Sequence, residues 1–236
     1  MPVVKIGNKF KTIILNVVFP PRCLSCNKFG DWVCKNCWEE IELIKTPICY
    51  RCYKLSEGFK LCPVCRKQQA LNRVIVCAHW HASLKNIVYG LKYRRVRVIT
   101  NLLGTLLSQT IKKQWCNGQD AVVVSVPLHR SRYWQRGFNQ AESLAKLVAE
   151  QNHWPVVTAL IRSKPTLPQF GLNKITRKHN LTDAFLLRRG SKQLINGKIV
   201  ILVDDIVTTG VTLNECAKIL RQYGAREVWG LVLARA

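Results

Sequence analysis

The sequence predicts an α/β fold, a largely parallel sheet flanked by helices, behind a small cysteine-rich segment. Two observations carry this. From about Asn72 onward, short apolar runs alternate with amphipathic stretches, the pattern of strand–helix–strand units in a parallel sheet. Ahead of them, eight cysteines form four C-x-x-C pairs within the 43 residues from Cys23 to Cys65, a stretch too poor in apolar residues to build its own core. For a chain of 236 residues, the natural partition is a cysteine-rich segment at 1–70 and an α/β domain at 71–236.

The first apolar stretch, Ile13 to Phe19, follows Lys5, Lys9 and Lys11 and precedes Pro20-Pro21-Arg22. It is too short to cross a bilayer and has no small-residue cleavage site, so it reads as a packing helix and not as a leader. In the α/β part, Val74 to Ala78 reads as a strand, and Ser83 to Lys92 and Val96 to Lys113 as helices. Ala121 to Val126 is a buried strand, Asn139 to Gln151 a helix, and Val156 to Ile161 a strand before a long Pro- and Lys-containing loop. Ile199 to Val203, Thr212 to Tyr223 and Val228 to Leu233 complete the domain as strand, helix and strand.

The cysteine pairs are Cys23/Cys26, Cys34/Cys37, Cys49/Cys52 and Cys62/Cys65. Two thiolates separated by two residues can address one ion from a tight turn, and two such turns complete a tetrahedral shell. With no export signal, metal thiolates in a reducing compartment are expected in place of disulfides, so the expected location is cytoplasmic. Two structural Zn²⁺ ions follow, with the metals largely folding the segment. Seven residues separate the first two pairs and nine the last two, which favours sequential pairing; an interleaved cross-brace satisfies the same spacings. Cys77, Cys116 and Cys216 sit among apolar neighbours and read as buried hydrophobes.

Charge is one-sided: 37 basic and 13 acidic residues give +24. Gly58 to Gln119 has no acidic residue and eleven Lys or Arg, and Gln151 to Thr182 none against five. Such density calls for a polyanion or several phosphates as partner. Basic and aromatic residues interleave twice: Tyr89, Lys92, Tyr93, Arg94, Arg95 and Arg97, then Arg130, Arg132, Tyr133, Trp134, Arg136 and Phe138. Cations along a backbone and flat rings for exposed bases are what single-stranded DNA needs, and Lys92, Arg94, Arg95, Arg97, Arg130, Arg132 and Trp134 are the DNA-contact candidates. The alternative is that several of the rings are core residues, Phe138 at a helix start above all, and the charges merely solvated.

The most informative segment runs from Val200 to Leu213. Four apolar residues form a buried strand, and Asp204 and Asp205 emerge at its C-terminal end, where α/β sheets place ligands. Val207, Thr208, Thr209, Gly210 and Thr212 then form a turn into a helix, an anion cradle of backbone N–H groups and hydroxyls. Adjacent carboxylates suit vicinal sugar hydroxyls, so a ribose carrying a 5′-phosphate accounts for every polar residue here. An acidic N-cap on an ordinary turn would explain one Asp, but not the pair with its threonines and glycine.

This segment resembles the signature of type I phosphoribosyltransferases. With Val126-Pro-Leu-His129, Arg136-Gly-Phe-Asn-Gln140, the spaced set Arg162, Thr166, Gln169, Leu172, Arg177, Asn180 and Phe185, the C-terminal Leu-Val-Leu-Ala-Arg235 and the Pro20-Pro21-Arg22-Cys23 head, the chain resembles the ComF (ComFC) family of competence proteins. The resemblance implies a type I phosphoribosyltransferase-like domain behind a double zinc ribbon. It implies phosphoribosyl pyrophosphate with Mg²⁺ at Asp204 to Thr212, a pyrophosphate side near Arg132 and Arg136, and a closing hood carrying Arg162, Gln169, Arg177 and Asn180. It also implies a role in DNA uptake during natural transformation.

Three classes stay open on the sequence: a competence factor handling incoming single-stranded DNA, an active phosphoribosyltransferase of nucleotide metabolism, and a phosphoribosyl pyrophosphate sensor whose zinc head docks a helicase or other competence protein. No residue is assigned as catalytic, and the fold alone licenses no reaction.

Overall fold

The protein is described by a computed structural model covering residues 20–93, 99–115, 120–163 and 184–236. The apolar stretch from Ile13 to Phe19, Cys116, and the positions Arg94, Arg95, Arg97, Gln169, Arg177 and Asn180 lie outside the described residues. The chain divides into two compact units: Met1–Glu42 with His81–Ile99, and Leu43–Trp80 with Thr100–Ala236.

In the first unit, Arg22 bridges Phe29 across a tight knuckle, and helix α1 (Lys35–Glu39) follows. Helix α3 (Ala82–Tyr93) packs against this knuckle; its Gly90 leaves room for Leu24, since a Cβ there would lie 2.8 Å from Leu24 Cδ2. Ser83, buried on α3, accepts from Ser25 Oγ at 3.2 Å and donates to the Glu40 carboxylate.

The second unit holds the sheet. Strands β1 (Arg73–His79), β2 (Ala121–Ser125), β5 (Ile199–Val203), β6 (Ile206–Val207) and β7 (Glu227–Arg235) are mutually parallel, in the order β1-β7-β5-β2 with β6 continuing beside β7. Every residue of β5 is buried, the signature of a central parallel strand covered on both faces. Helices α4 (Ile99–Lys112), α6 (Gln140–Asn152) and α8 (Val211–Gln222) carry the amphipathic patterns that the sequence predicts, each within a few residues of its expected bounds. A second knuckle leads through helix α2 (Pro63–Arg66) into β1, and its Tyr50 and Leu61 belong to the same buried cluster as Val200, Leu202, Val207 and Leu213.

Three elements differ from expectation. The strand expected over Val156–Ile161 is split: Val156 makes only a bridge to Val123, and β3 (Leu160–Arg162) pairs antiparallel with β4 (Phe185–Leu187) away from the main sheet. Residues 160–162 make their strand pairing with β4 and not with β2. Helix α5 (Arg130–Arg136), which the apolar pattern does not announce, is set by its ends: His129 accepts from the Ser131 N–H, and Gly137 closes it in the left-handed region at φ 76°. A short helix α7 (Lys192–Ile195) precedes β5. Among the described residues, no helix is long and apolar enough to cross a membrane.

Candidate functional site

The thiols assemble in sequence order. Cys23, Cys26, Cys34 and Cys37 place their sulfurs within 4.8 Å of one another, and Cys49, Cys52, Cys62 and Cys65 do the same. Cys26 Sγ lies 3.6 Å from Cys34 Sγ and Cys52 Sγ 3.6 Å from Cys62 Sγ. A tetrahedral ion with bonds of about 2.3 Å has edges of roughly 3.8 Å, so the donors fit zinc thiolate geometry. Burial opposes ionisation of Cys23 and Cys49, but backbone N–H donors overcome it and bring these thiols down to about 6 and about 7. Burial and neighbouring sulfurs push Cys37 and Cys65 up to about 12. Four packed thiols cannot all ionise alone; a soft divalent cation resolves the repulsion. Elemental analysis of protein kept from chelators should therefore give two zinc ions per chain, and a value of one or none would contradict this assignment.

The metal is not the second cluster's sole support: its Tyr50 and Leu61 lie in the core of the sheet unit and Cys65 packs against it. Cys77 and Cys216 are buried, and burial holds both thiols well above their usual range, as small hydrophobes require.

At the C-terminal end of β5, Asp204 is half-buried and Asp205 buried. The chain there is knitted to β7: the Asp204 N–H donates to Leu231 O at 3.1 Å and Asp205 O accepts from the Leu233 N–H at 3.0 Å. The carboxylates also order their own turn, Asp204 accepting from the Asp205 N–H at 2.8 Å and Asp205 from the Ile206 N–H at 2.7 Å. After β6, Thr208, Thr209 and Gly210 turn the chain into α8, with Gly210 as its N-cap at φ 76°. Thr208, Thr209 and Thr212 are half-buried. Room for a ligand is not the only demand on Gly210: a Cβ there would lie 2.6 Å from Tyr50 Cε2, so the glycine accommodates a protein ring.

The loop after β2 runs beside this turn, since Val126 N–H donates to Val203 O at 2.9 Å. The Arg136–Gln140 block is a structural clasp. Phe138 is buried, and Asn139 caps α6 while donating to Val126 O at 3.0 Å. Arg136 Nη1 donates to buried Gln140 Oε1 at 3.2 Å, which holds Arg136 at the end of α5. Phe138 is thus unavailable as a stacking platform. Arg162 is buried on β3; burial lowers its pKa and the Arg132 charge lowers it further, while Asp204 opposes them. Arg132, Arg162 and Asp204 are accordingly electrostatic neighbours. On α5, Arg130 is exposed, with Tyr133 and Trp134 48% and 82% exposed. In the first unit, Tyr89 and Tyr93 stack at 5.5 Å on α3, beside half-buried Lys92.

Residues 14–66 match the double zinc ribbon domain and residues 99–236 the phosphoribosyl transferase domain. The chain is 31% identical to the DNA utilization protein YhgH of Escherichia coli, over 90% of this chain and 96% of that protein. The chain belongs to the ComF family. Within it, Competence protein F of Haemophilus influenzae is 29% identical over 87% of this chain and 99% of its own length. Competence protein ComFC of Bacillus subtilis is 27% identical over 91% and 95%. The parallel-sheet architecture is that of the family's phosphoribosyltransferase-type domain, and the two Cys₄ clusters are its zinc ribbons.

Proposed function

We propose that the protein handles single-stranded DNA in competence or DNA utilization and carries a 5′-phosphoribosyl site at Asp204–Thr212, which takes phosphoribosyl pyrophosphate with Mg²⁺. The observation that supports the site best is the run of β5 into two carboxylates and then into a threonine–glycine turn opening on α8. Asp204 and Asp205 offer acceptors to the ribose hydroxyls, and the N–H groups and hydroxyls from Thr208 to Thr212 take the 5′-phosphate. Arg132, Arg136 and Arg162 supply the cations beside it, joined by Gln169, Arg177 and Asn180 from the segment outside the described residues. Mg²⁺ enters with the ligand and neutralises its pyrophosphate. The relatives' names favour a competence role, the +24 charge favours a polyanionic strand, and the thiol clusters favour a reducing compartment such as the cytoplasm.

Each unit offers its own contact set for a strand: in the first the stacked Tyr89–Tyr93 pair with Lys92, Arg94, Arg95 and Arg97, and in the second the rings of α5 with Arg130 and Arg132. Reversal of Arg94, Arg95 and Arg97 to Glu should remove two to three phosphate contacts, each contributing about −0.7 to the slope of log affinity against log salt. Trp134→Ala should weaken binding by about 1–3 kcal/mol with the slope unchanged, because stacking releases no counterion. Filter binding across a salt series separates the two effects. An unchanged slope in the triple variant places the strand elsewhere, and no binding at low salt removes the DNA reading.

A further inference from the structure

The second zinc knuckle and the Asp204–Thr212 turn share one compact unit, touch directly at Tyr50 and Gly210, and are linked indirectly through Asn214 and Arg235. Tyr50, next to Cys49 and 2% exposed, lies with its ring against Gly210; a Cβ on that glycine would sit 2.6 Å from Cε2 and 2.8 Å from Cζ. Its hydroxyl donates to Gln69 Oε1 at 3.1 Å, fixing the far end of the ring. The Ala70 N–H then donates to Asn214 Oδ1 at 2.8 Å, and Asn214 donates its own N–H to Gly210 O at 2.9 Å. On the other side, the Tyr53 ring covers the Arg235 guanidinium at 3.9 Å. Arg235 pairs with Val207 in the sheet, and the Ala236 N–H donates to Val207 O at 2.8 Å.

Both tyrosines are set by the knuckle itself. Tyr53 takes φ 61°, with its N–H donating to Cys49 O at 2.9 Å, and the Cys49 N–H donates to Lys54 O at 2.8 Å. A non-glycine residue in the left-handed region persists only where its surroundings over-determine it, and here the knuckle's own hydrogen bonds and the gathering of its four sulfurs supply that constraint.

We infer that Tyr50 is a positioning residue: the second zinc ribbon is the back wall of the turn, and Tyr50, with Tyr53 on Arg235, holds its backbone in an anion-binding form. This deepens the phosphoribosyl reading and rests on it. Cradling an anion depends on N–H groups held in place before the ligand arrives.

The test uses zinc-loaded full-length protein and two readouts: hydrogen exchange of the 207–214 segment without ligand, and calorimetric titration of phosphoribosyl pyrophosphate with Mg²⁺. Tyr50→Ala should keep two zinc ions, speed exchange in 207–214 and weaken binding by roughly tenfold or more, since a displacement of about 1 Å in a positioned group can cost up to a hundredfold. Tyr50→Phe keeps the ring and should remain within about threefold of wild type, a rescue that mere loss of volume elsewhere would not mimic. Tyr53→Ala, at a position 61% exposed, leaves no buried space and should still speed exchange and weaken binding several-fold. Wild-type exchange and affinity in both alanine variants would overturn the inference. Faster exchange in those variants, in a protein whose wild type binds no phosphoribosyl pyrophosphate, would uphold the coupling and dismiss the ligand instead.

Discussion

Serine at Cys49 or Cys65 is expected to unfold the sheet-bearing unit, whereas serine at Cys26 should leave that unit folded and remove one zinc. The asymmetry follows from where each cluster is anchored. The second cluster closes the loop that carries Tyr50 and Leu61 into the core beside Val200 and Leu202. Structural zinc contributes about 10–16 kcal/mol to small metal-folded modules, comparable with the roughly 5–15 kcal/mol that stabilises a whole domain. Even a fraction of that loss exceeds the margin once two core side chains are released. The first cluster packs on α3 through Leu24, inside the other unit. Near-ultraviolet circular dichroism reads the outcome, because Trp115 lies 4.5 Å from Trp154 and 5.2 Å from Trp229, ring to ring, within the sheet unit. The aromatic signal should melt far earlier in Cys49→Ser and Cys65→Ser and near the wild-type temperature in Cys26→Ser. Equal melting in all three would mean that the second ribbon is only tethered to the sheet.

The second large effect concerns the acidic pair. Asp204→Ala and Asp205→Ala should each weaken phosphoribosyl pyrophosphate binding by about 1–3 kcal/mol, roughly 5- to 150-fold, because ligand hydroxyls lose their acceptor. They should differ in stability. Each carboxylate accepts the N–H of the next residue, so both losses cost stability, but Asp205 is buried where Asp204 is half-buried, and its loss should lower the melting temperature more. Titration paired with thermal melting separates the roles. Affinity unchanged in both variants would mean that the carboxylates order the turn and touch no sugar.

Much of this arrangement is legible in the sequence. Period and burial announce β5 and α8, and C-x-x-C spacing announces both ribbons, because these features depend on neighbours a few residues away. Helix α5 lies within a run of basic and aromatic residues with no apolar face, so only its cap residues mark it. The duty of Gly210 toward Tyr50 is hidden for another reason: 160 positions separate them, and no local pattern encodes a contact that the topology creates. The Arg136–Gln140 block shows the converse, since its residues announce a family while their individual jobs, capping and clasping, emerge only from the hydrogen bonds.

The most direct measurement is calorimetric titration of the zinc-loaded chain with phosphoribosyl pyrophosphate and Mg²⁺, alone and with a short single-stranded oligonucleotide present. A saturable one-to-one heat whose affinity weakens roughly 5- to 150-fold in Asp204→Ala, with oligonucleotide binding retained, is the predicted result. No heat at millimolar ligand, from protein shown to be folded and zinc-loaded, would contradict the phosphoribosyl site.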